Sequence, residues 1–246
     1  MLCRTCDGRV PGGSPECPHC FTPVGAYALR HGRRTYPLRT AGRVAAAMVG
    51  LSTVVAAVAY LASAVGVLAP GAADGLARTT AEVNVIVFLL AAPTVVIWFR
   101  RAHRNLHAFT GAEPSIRSGW ATWGWFVPVV NLYLPHSVLA EIADHSLWRA
   151  RIRYLAPVWW LTWLTGVVFA VAVEVGGSRA GPIVHFWALL TNTVAGGLLI
   201  VLLLRISRAQ EARIARGAGP PEPIAGLIMT SPITPLTGQR DRRPVP

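Results

Sequence analysis

Four long apolar stretches divide the chain. Residues 44–68, 83–99, 154–173 and 183–204 contain no Asp, Glu, Arg or Lys, and they run to 25, 17, 20 and 22 residues. About 20 apolar residues in a helix cross the hydrocarbon core of a bilayer, so each stretch predicts a spanning helix. The second is near the lower limit and has Pro93 within it, a candidate kink. Pro70 and Gly71 stop the first. Pro157 falls in the first turn of the third, where its missing N–H leaves no bond unmade. A fifth uncharged stretch, residues 118–140, is 23 residues long and by count alone could also cross. Its prolines argue otherwise: Pro128 and Pro135 each delete a backbone donor and clash with the preceding turn, leaving carbonyls that lipid cannot satisfy. Trp120, Trp123, Trp125 and Tyr133 crowd the same stretch, and such amphipathic rings favour the headgroup layer. Residues 119–149 therefore read as an interfacial or re-entrant element. The fold class is all-α integral membrane, with four transmembrane helices, this Trp-rich element and a small N-terminal module.

Composition agrees with that reading. Of 246 residues, 53% are hydrophobic and 14% charged, against about 25% charged in soluble domains; the mean hydropathy is +0.45. The net charge of +12 comes from arginines placed beside the apolar stretches, where they orient a membrane protein and contact anionic inner-leaflet lipids, so no nucleic acid partner is expected. All 23 basic residues are arginine, a bias of GC-rich, bacterial coding. With four spans and the central element kept on one side, 21 arginines share a side and only Arg78 and Arg179 oppose them; if the element crossed, the split would be 12 to 11. The positive-inside rule selects four spans with both termini cytoplasmic, in the plasma membrane. No secretory signal peptide is expected, because the first apolar run begins only at Val44.

The four cysteines all lie in the first 20 residues, as Cys3-x2-Cys6 and Cys17-x2-Cys20 separated by ten residues. Each such turn points two thiolates at one metal, and two turns complete a tetrahedral site, so Cys3, Cys6, Cys17 and Cys20 are the expected ligands of a structural Zn2+. Four thiolates leave no open position for catalysis. A reduced cytoplasmic setting suits them. The segment resembles the short zinc-ribbon modules at the N-termini of many bacterial membrane proteins, with the C-P-x-C knuckle at Cys17, Pro18 and Cys20; it departs from them at Phe21, where those modules usually have glycine. The organisation expected is a zinc ribbon over residues 1–22, a basic linker over 23–43, a membrane domain over 44–216 and a disordered Pro- and Gly-rich tail over 217–246.

The sequence WFRRAHRNLHAF followed by GWFVPVVNLYLPHSVLAEI, with Trp125, Phe126, Pro128, Asn131, Leu132 and Pro135 as its hallmark, is similar to the bacterial membrane family catalogued as domain of unknown function 4328. The resemblance covers roughly residues 44–216 and implies a four-helix membrane domain without an established activity. His103 and His107 stand four apart and share a helix face, but no third ligand accompanies them, which favours a basic interfacial helix. Asn131 fits a bend between the prolines, because asparagine can bond its own backbone. Beyond the bend, Glu141 and His145 stand four apart with Asp144 between, either a solvated ion-pair face or a site for a metal or a proton. In the fourth span, Asn192 is expected to bond a neighbouring helix.

Nothing in the chain matches a nucleophile elbow, a phosphate-cradling glycine loop or an H-E-x-x-H helix. The reading favoured is a non-enzymatic membrane scaffold that displays a cytoplasmic zinc module to a protein or lipid partner. The alternative is a small transporter or membrane enzyme using Asn131, Glu141 and His145. Convergence of those three side chains on one enclosed cavity would favour the alternative.

Overall fold

Helices α1 (Arg39–Leu68), α2 (Asp74–Leu106), α5 (Leu155–Gly176) and α6 (Pro182–Gly217) carry the fold. Between α2 and α5 lie the short α3 (Trp120–Trp123), a 3-10 turn (Val130–Leu132) and α4 (Leu134–Ser146). This computed structural model describes residues 2, 8–12, 14, 17–18, 29–30, 32–69, 71, 74–147, 154–176 and 180–217. Among them there is no strand, only isolated antiparallel bridges between Leu2 and Arg9 and between Leu29 and Phe109. All four long helices are apolar and long enough to cross a membrane, so the chain is a multi-pass membrane protein.

The helices outrun the uncharged stretches. α1 begins at Arg39, ahead of the apolar run, and α2 spans 33 residues where the run has 17. The absence of charge marks only the hydrocarbon-embedded part of a helix; backbone bonding continues into the polar layer as long as one face stays packed. In α2 that face is Trp98, Phe99, Ala102 and Leu106, all fully buried among Arg100, Arg101 and Arg104.

The helices pack in the order α2, α1, α6, α5, and no comparable packing joins α2 to α5. Small residues set the inner contacts. α1 buries Gly42, Ala45, Ala46, Ala56, Ala59 and Ala62, the pattern by which apolar helices approach closely when lipid supplies no hydrophobic drive. At Gly42 a Cβ would overlap Ser207 of α6, and at Gly196 it would overlap Thr53 of α1. Threonines in the spans turn their hydroxyls back onto their own helices, as in Thr53 to Val49 (2.8 Å) and Thr165 to Leu161 (2.8 Å). They therefore need no partner in lipid.

The Trp-rich element closes the open side of the arc at one end. α3 packs on α2, and α4 packs against α2, α5 and α6. Pro128 falls in the turn between the short helices and Pro135 in the first turn of α4, and among the described residues of the element no helix exceeds 13 residues.

Candidate functional site

At the end of the bundle where α2 and α6 finish, buried polar side chains form a continuous clamp. Asn105 of α2 bonds Tyr36 reciprocally, its Oδ1 accepting from the Tyr36 N–H (2.7 Å) and its Nδ2 donating to the Tyr36 carbonyl (3.0 Å). The same Nδ2 donates to Gln210 Oε1 of α6 (3.0 Å). Gln210 Nε2 donates to the Ala102 carbonyl (3.2 Å) and to Ser146 Oγ of α4 (2.9 Å). One turn back, Trp98 Nε1 donates to Ser207 Oγ (2.8 Å). Glu211 accepts from the N–H groups of Leu38 and Arg39, capping α1. Arg213 gathers the two flanks of the Trp-rich element: it donates to the carbonyls of Thr110 (2.6 Å) and His145 (3.3 Å) while lying 4.2 Å over the Phe109 ring.

Glu141 forms a second staple on this end. Its carboxylate takes bonds from the Ser115 N–H and hydroxyl, from the Ile116 N–H, and from His103 Nε2 at 2.9 Å. Burial opposes its charge, but the bonds from Ser115, His103 and Ile116 outweigh that and hold the carboxyl below the usual carboxylate range. His107 is held below the usual imidazole range by burial, then by His103, Arg33 and Arg30, against a smaller opposing pull from Glu141. The His103 and His107 rings stand edge to face 5.5 Å apart, with His103 Nδ1 and His107 Nε2 buried and without a hydrogen-bond partner. Among the described residues no group of three His, Cys, Asp or Glu side chains is placed to hold a metal.

The three residues singled out in the element do not come together. Glu141 reaches across to α2 and to the loop before α3, and His145 Nδ1 bonds the Glu141 carbonyl within their own helix (2.9 Å). Asp144 is exposed. Asn131 instead lines a cavity of about 620 Å3 between α2 and α5, together with Asn192 of α6. Asn131 Oδ1 and Asn192 Nδ2 are both buried without a partner, so the bond to a neighbouring helix expected of Asn192 is not made through that nitrogen. Cys3, Cys6 and Cys20 lie outside the described residues. Cys17 is buried against Val10.

The stretch from α2 through the connecting element and α5 into α6 matches a known family. The family described as "Domain of unknown function (DUF4328)" matches residues 69–208. The chain belongs to that family. The DUF4328 match spans α2 to most of α6 and leaves out α1 and the cysteine segment, a shorter stretch than residues 44–216. No curated protein and no solved structure matches the chain. Within the DUF4328 domain, the clamp residues Trp98, Asn105, Ser146 and Ser207 escaped sequence reasoning, as did Gln210 and Arg213 just beyond it. A usable signal was present: Ile206, Ser207, Gln210 and Arg213 recur at helical spacing and are all buried, so one face of α6 stays packed although its composition turns polar.

Proposed function

We propose that this DUF4328 protein is a non-enzymatic membrane scaffold that holds a short zinc-binding module against the cytoplasmic end of a four-helix bundle. The observation that carries the reading is the clamp's grip on the N-terminal arm. Beside the Leu29–Phe109 bridge, Arg30 donates from its N–H to the Ala108 carbonyl (2.8 Å) and from its guanidinium to the Ala112 carbonyl (3.0 Å). Tyr36 is bonded to Asn105, and Leu38 is fully buried. The arm is thus fixed to the bundle at several points.

The Trp-rich element supports a membrane-surface role. Trp123, Phe126, Val129, Leu132 and Tyr133 are all at least 60% exposed on one short segment, an aromatic and aliphatic patch suited to the inner leaflet. That both flanks bond one guanidinium supports an element that enters and leaves by the same face. The arginine distribution supports the cytoplasmic placement of that face. The zinc site rests on the ligand spacing of Cys3, Cys6, Cys17 and Cys20. The burial of Cys17 and the Leu2–Arg9 bridge, which brackets the first cysteine pair, are compatible with a folded knuckle. A ribbon this small has too little core to fold unaided, so the metal would supply its stability.

Two measurements test the proposal. Metal analysis of the detergent-purified full chain is expected to find one zinc per chain, lost in Cys3→Ser/Cys6→Ser; no zinc in the wild type removes the ribbon. Affinity capture from native membranes, with and without residues 1–20, is expected to recover a partner only when the segment is present. An identical set of captured proteins in both samples counts against display of the module.

A further inference from the structure

The outer side of the seam between α1 and α6 carries charges that neither the clamp nor the scaffold role uses. The two helices run antiparallel in a fixed register, because Gly42 meets Ser207 and Thr53 meets Gly196, a step of eleven residues along each. That register sets Arg208 level with residue 41, midway between Arg39 and Arg43. At about 1.5 Å of rise per residue, each arginine of α1 lies within about 3 Å of the level of Arg208. All three are exposed, and Arg39 and Arg43, four apart, share a face of α1. From Arg43 the exposed stripe continues through Ala47, Leu51 and Val54, and from Arg208 through Val201, Gly197 and Val194. Both stripes face away from the cavity, which Val49 and Ser52 of α1 and Ala195 and Leu199 of α6 line from the other side of the seam.

The charges on this face are not answered within the bundle. Among the described residues, no side chain bonds or ion-pairs the guanidinium groups of Arg39, Arg43 and Arg208. α1 has no acidic residue and α6 has one, Glu211, whose carboxylate is taken by the N–H groups of Leu38 and Arg39. The apolar run of α1 begins at Val44, directly after Arg43, so the three arginines stand where the hydrocarbon ends and lipid phosphates lie. Below them both stripes are apolar and open to the acyl layer. An occupant of this face therefore needs a negative head and a hydrocarbon body. A zwitterionic head brings its own cation against three arginines, and a soluble anion leaves the stripes unused. We infer that the outer α1–α6 seam binds an anionic phospholipid of the phosphatidylglycerol class, its phosphate held between Arg43 and Arg208 with Arg39 beside them, and its acyl chains along the two stripes. The planar guanidinium fork suits that phosphate. The inference rests on the helices crossing a bilayer, and it stands or falls apart from the scaffold reading and the zinc module.

The test is native mass spectrometry of the full chain, purified in detergent and titrated with dioleoylphosphatidylglycerol, dioleoylphosphatidylcholine or inorganic phosphate. Dioleoylphosphatidylglycerol is expected to bind about tenfold or more tighter than dioleoylphosphatidylcholine. Arg43→Gln and Arg208→Gln are each expected to weaken it about fivefold, the worth of one basic residue at an anionic membrane surface, with the melting temperature kept. Arg205 is the control: it is exposed at nearly the same level, but it stands two residues from Ser207 and so on the side of α6 away from α1. Arg205→Gln is expected to leave the affinity unchanged. Equal affinity for dioleoylphosphatidylcholine, unchanged affinity in both seam variants, or an equal loss in Arg205→Gln overturns the inference. So does displacement of the lipid by millimolar inorganic phosphate, which would make the seam a site for a free anion.

Discussion

Replacing Gln210 with leucine isolates the clamp from the rest of the packing. Gln210 is 1% exposed, and a leucine of similar volume fits without opening a large void. It loses the donations to the Ala102 carbonyl and Ser146 Oγ and the acceptance from Asn105 Nδ2. Three bonds at about 1 kcal/mol each, with buried partners left short, amount to roughly 3–5 kcal/mol. The gain from burying an apolar side chain offsets about 1 kcal/mol of that. A net loss of about 3 kcal/mol lowers the melting temperature of a chain this size by roughly 6–12 °C. Tryptophan fluorescence in detergent follows the transition, since Trp98 sits in the clamp. The lipid-facing Val54→Leu, at a residue 62% exposed, is the control and is expected to leave the melting point in place. A shift below about 2 °C for Gln210→Leu, under 1 kcal/mol, would mean that the network is ornamental and that α6 is held by apolar contact alone.

Other perturbations have equally direct outcomes. Gly196→Ala forces α6 away from Thr53 of α1 and is expected to cost about 1–3 kcal/mol, with Gly42→Ala doing the same at Ser207 and also weakening the Trp98 bond; retained melting points in both variants would remove the close-packed α1–α6 seam. Arg213→Lys keeps the charge but cannot hold the Thr110 and His145 carbonyls as a fork, so protease cutting between residues 110 and 120 is expected to accelerate several-fold. The folded-state pKa of His107 and that of Glu141 are both depressed, so each contributes stability above its unfolded value that is lost as pH falls. Melting temperature is therefore expected to decline below the ordinary imidazole range and again below the ordinary carboxylate range, about pH 4. Glu141→Gln should flatten the second decline, and a wild-type curve level across both ranges would contradict these assignments.

How much could be read in advance depended on the kind of residue. The four spans follow from lipid's intolerance of charge, whereas the effect of a proline depends on its place: Pro93 lies inside the continuous α2, Pro128 lies in a turn between helices, and Pro135 stands in the first turn of α4, where its missing N–H breaks no bond. Helix ends were less legible. Arg39 and Arg100 lie at the level where charge is no longer penalised, so their presence does not stop a helix. The roles of Glu141 and Asn131 could not be separated from sequence alone. Spacing suggested that Glu141 pairs with His145 one turn on, whereas Ser115 and His103 lie far away in the chain and take its carboxylate by tertiary packing. The sequence around Asn131 encodes a bend, and its place in the lining of a cavity depends on α5 standing apart from α2, which no local pattern encodes.

The four-span topology requires the aromatic element to return to the face by which it enters. Glu113 precedes it and Asp144 lies near its C-terminal end, both exposed, and Gly75 stands at the opposite end of α2. Single cysteines at these positions, in a chain whose four native cysteines are serine and whose melting temperature is unchanged, can be probed in intact cells with a membrane-impermeant maleimide. Glu113→Cys and Asp144→Cys are both expected to be protected until lysis, while Gly75→Cys labels from outside. Opposite labelling of Glu113→Cys and Asp144→Cys would contradict that topology.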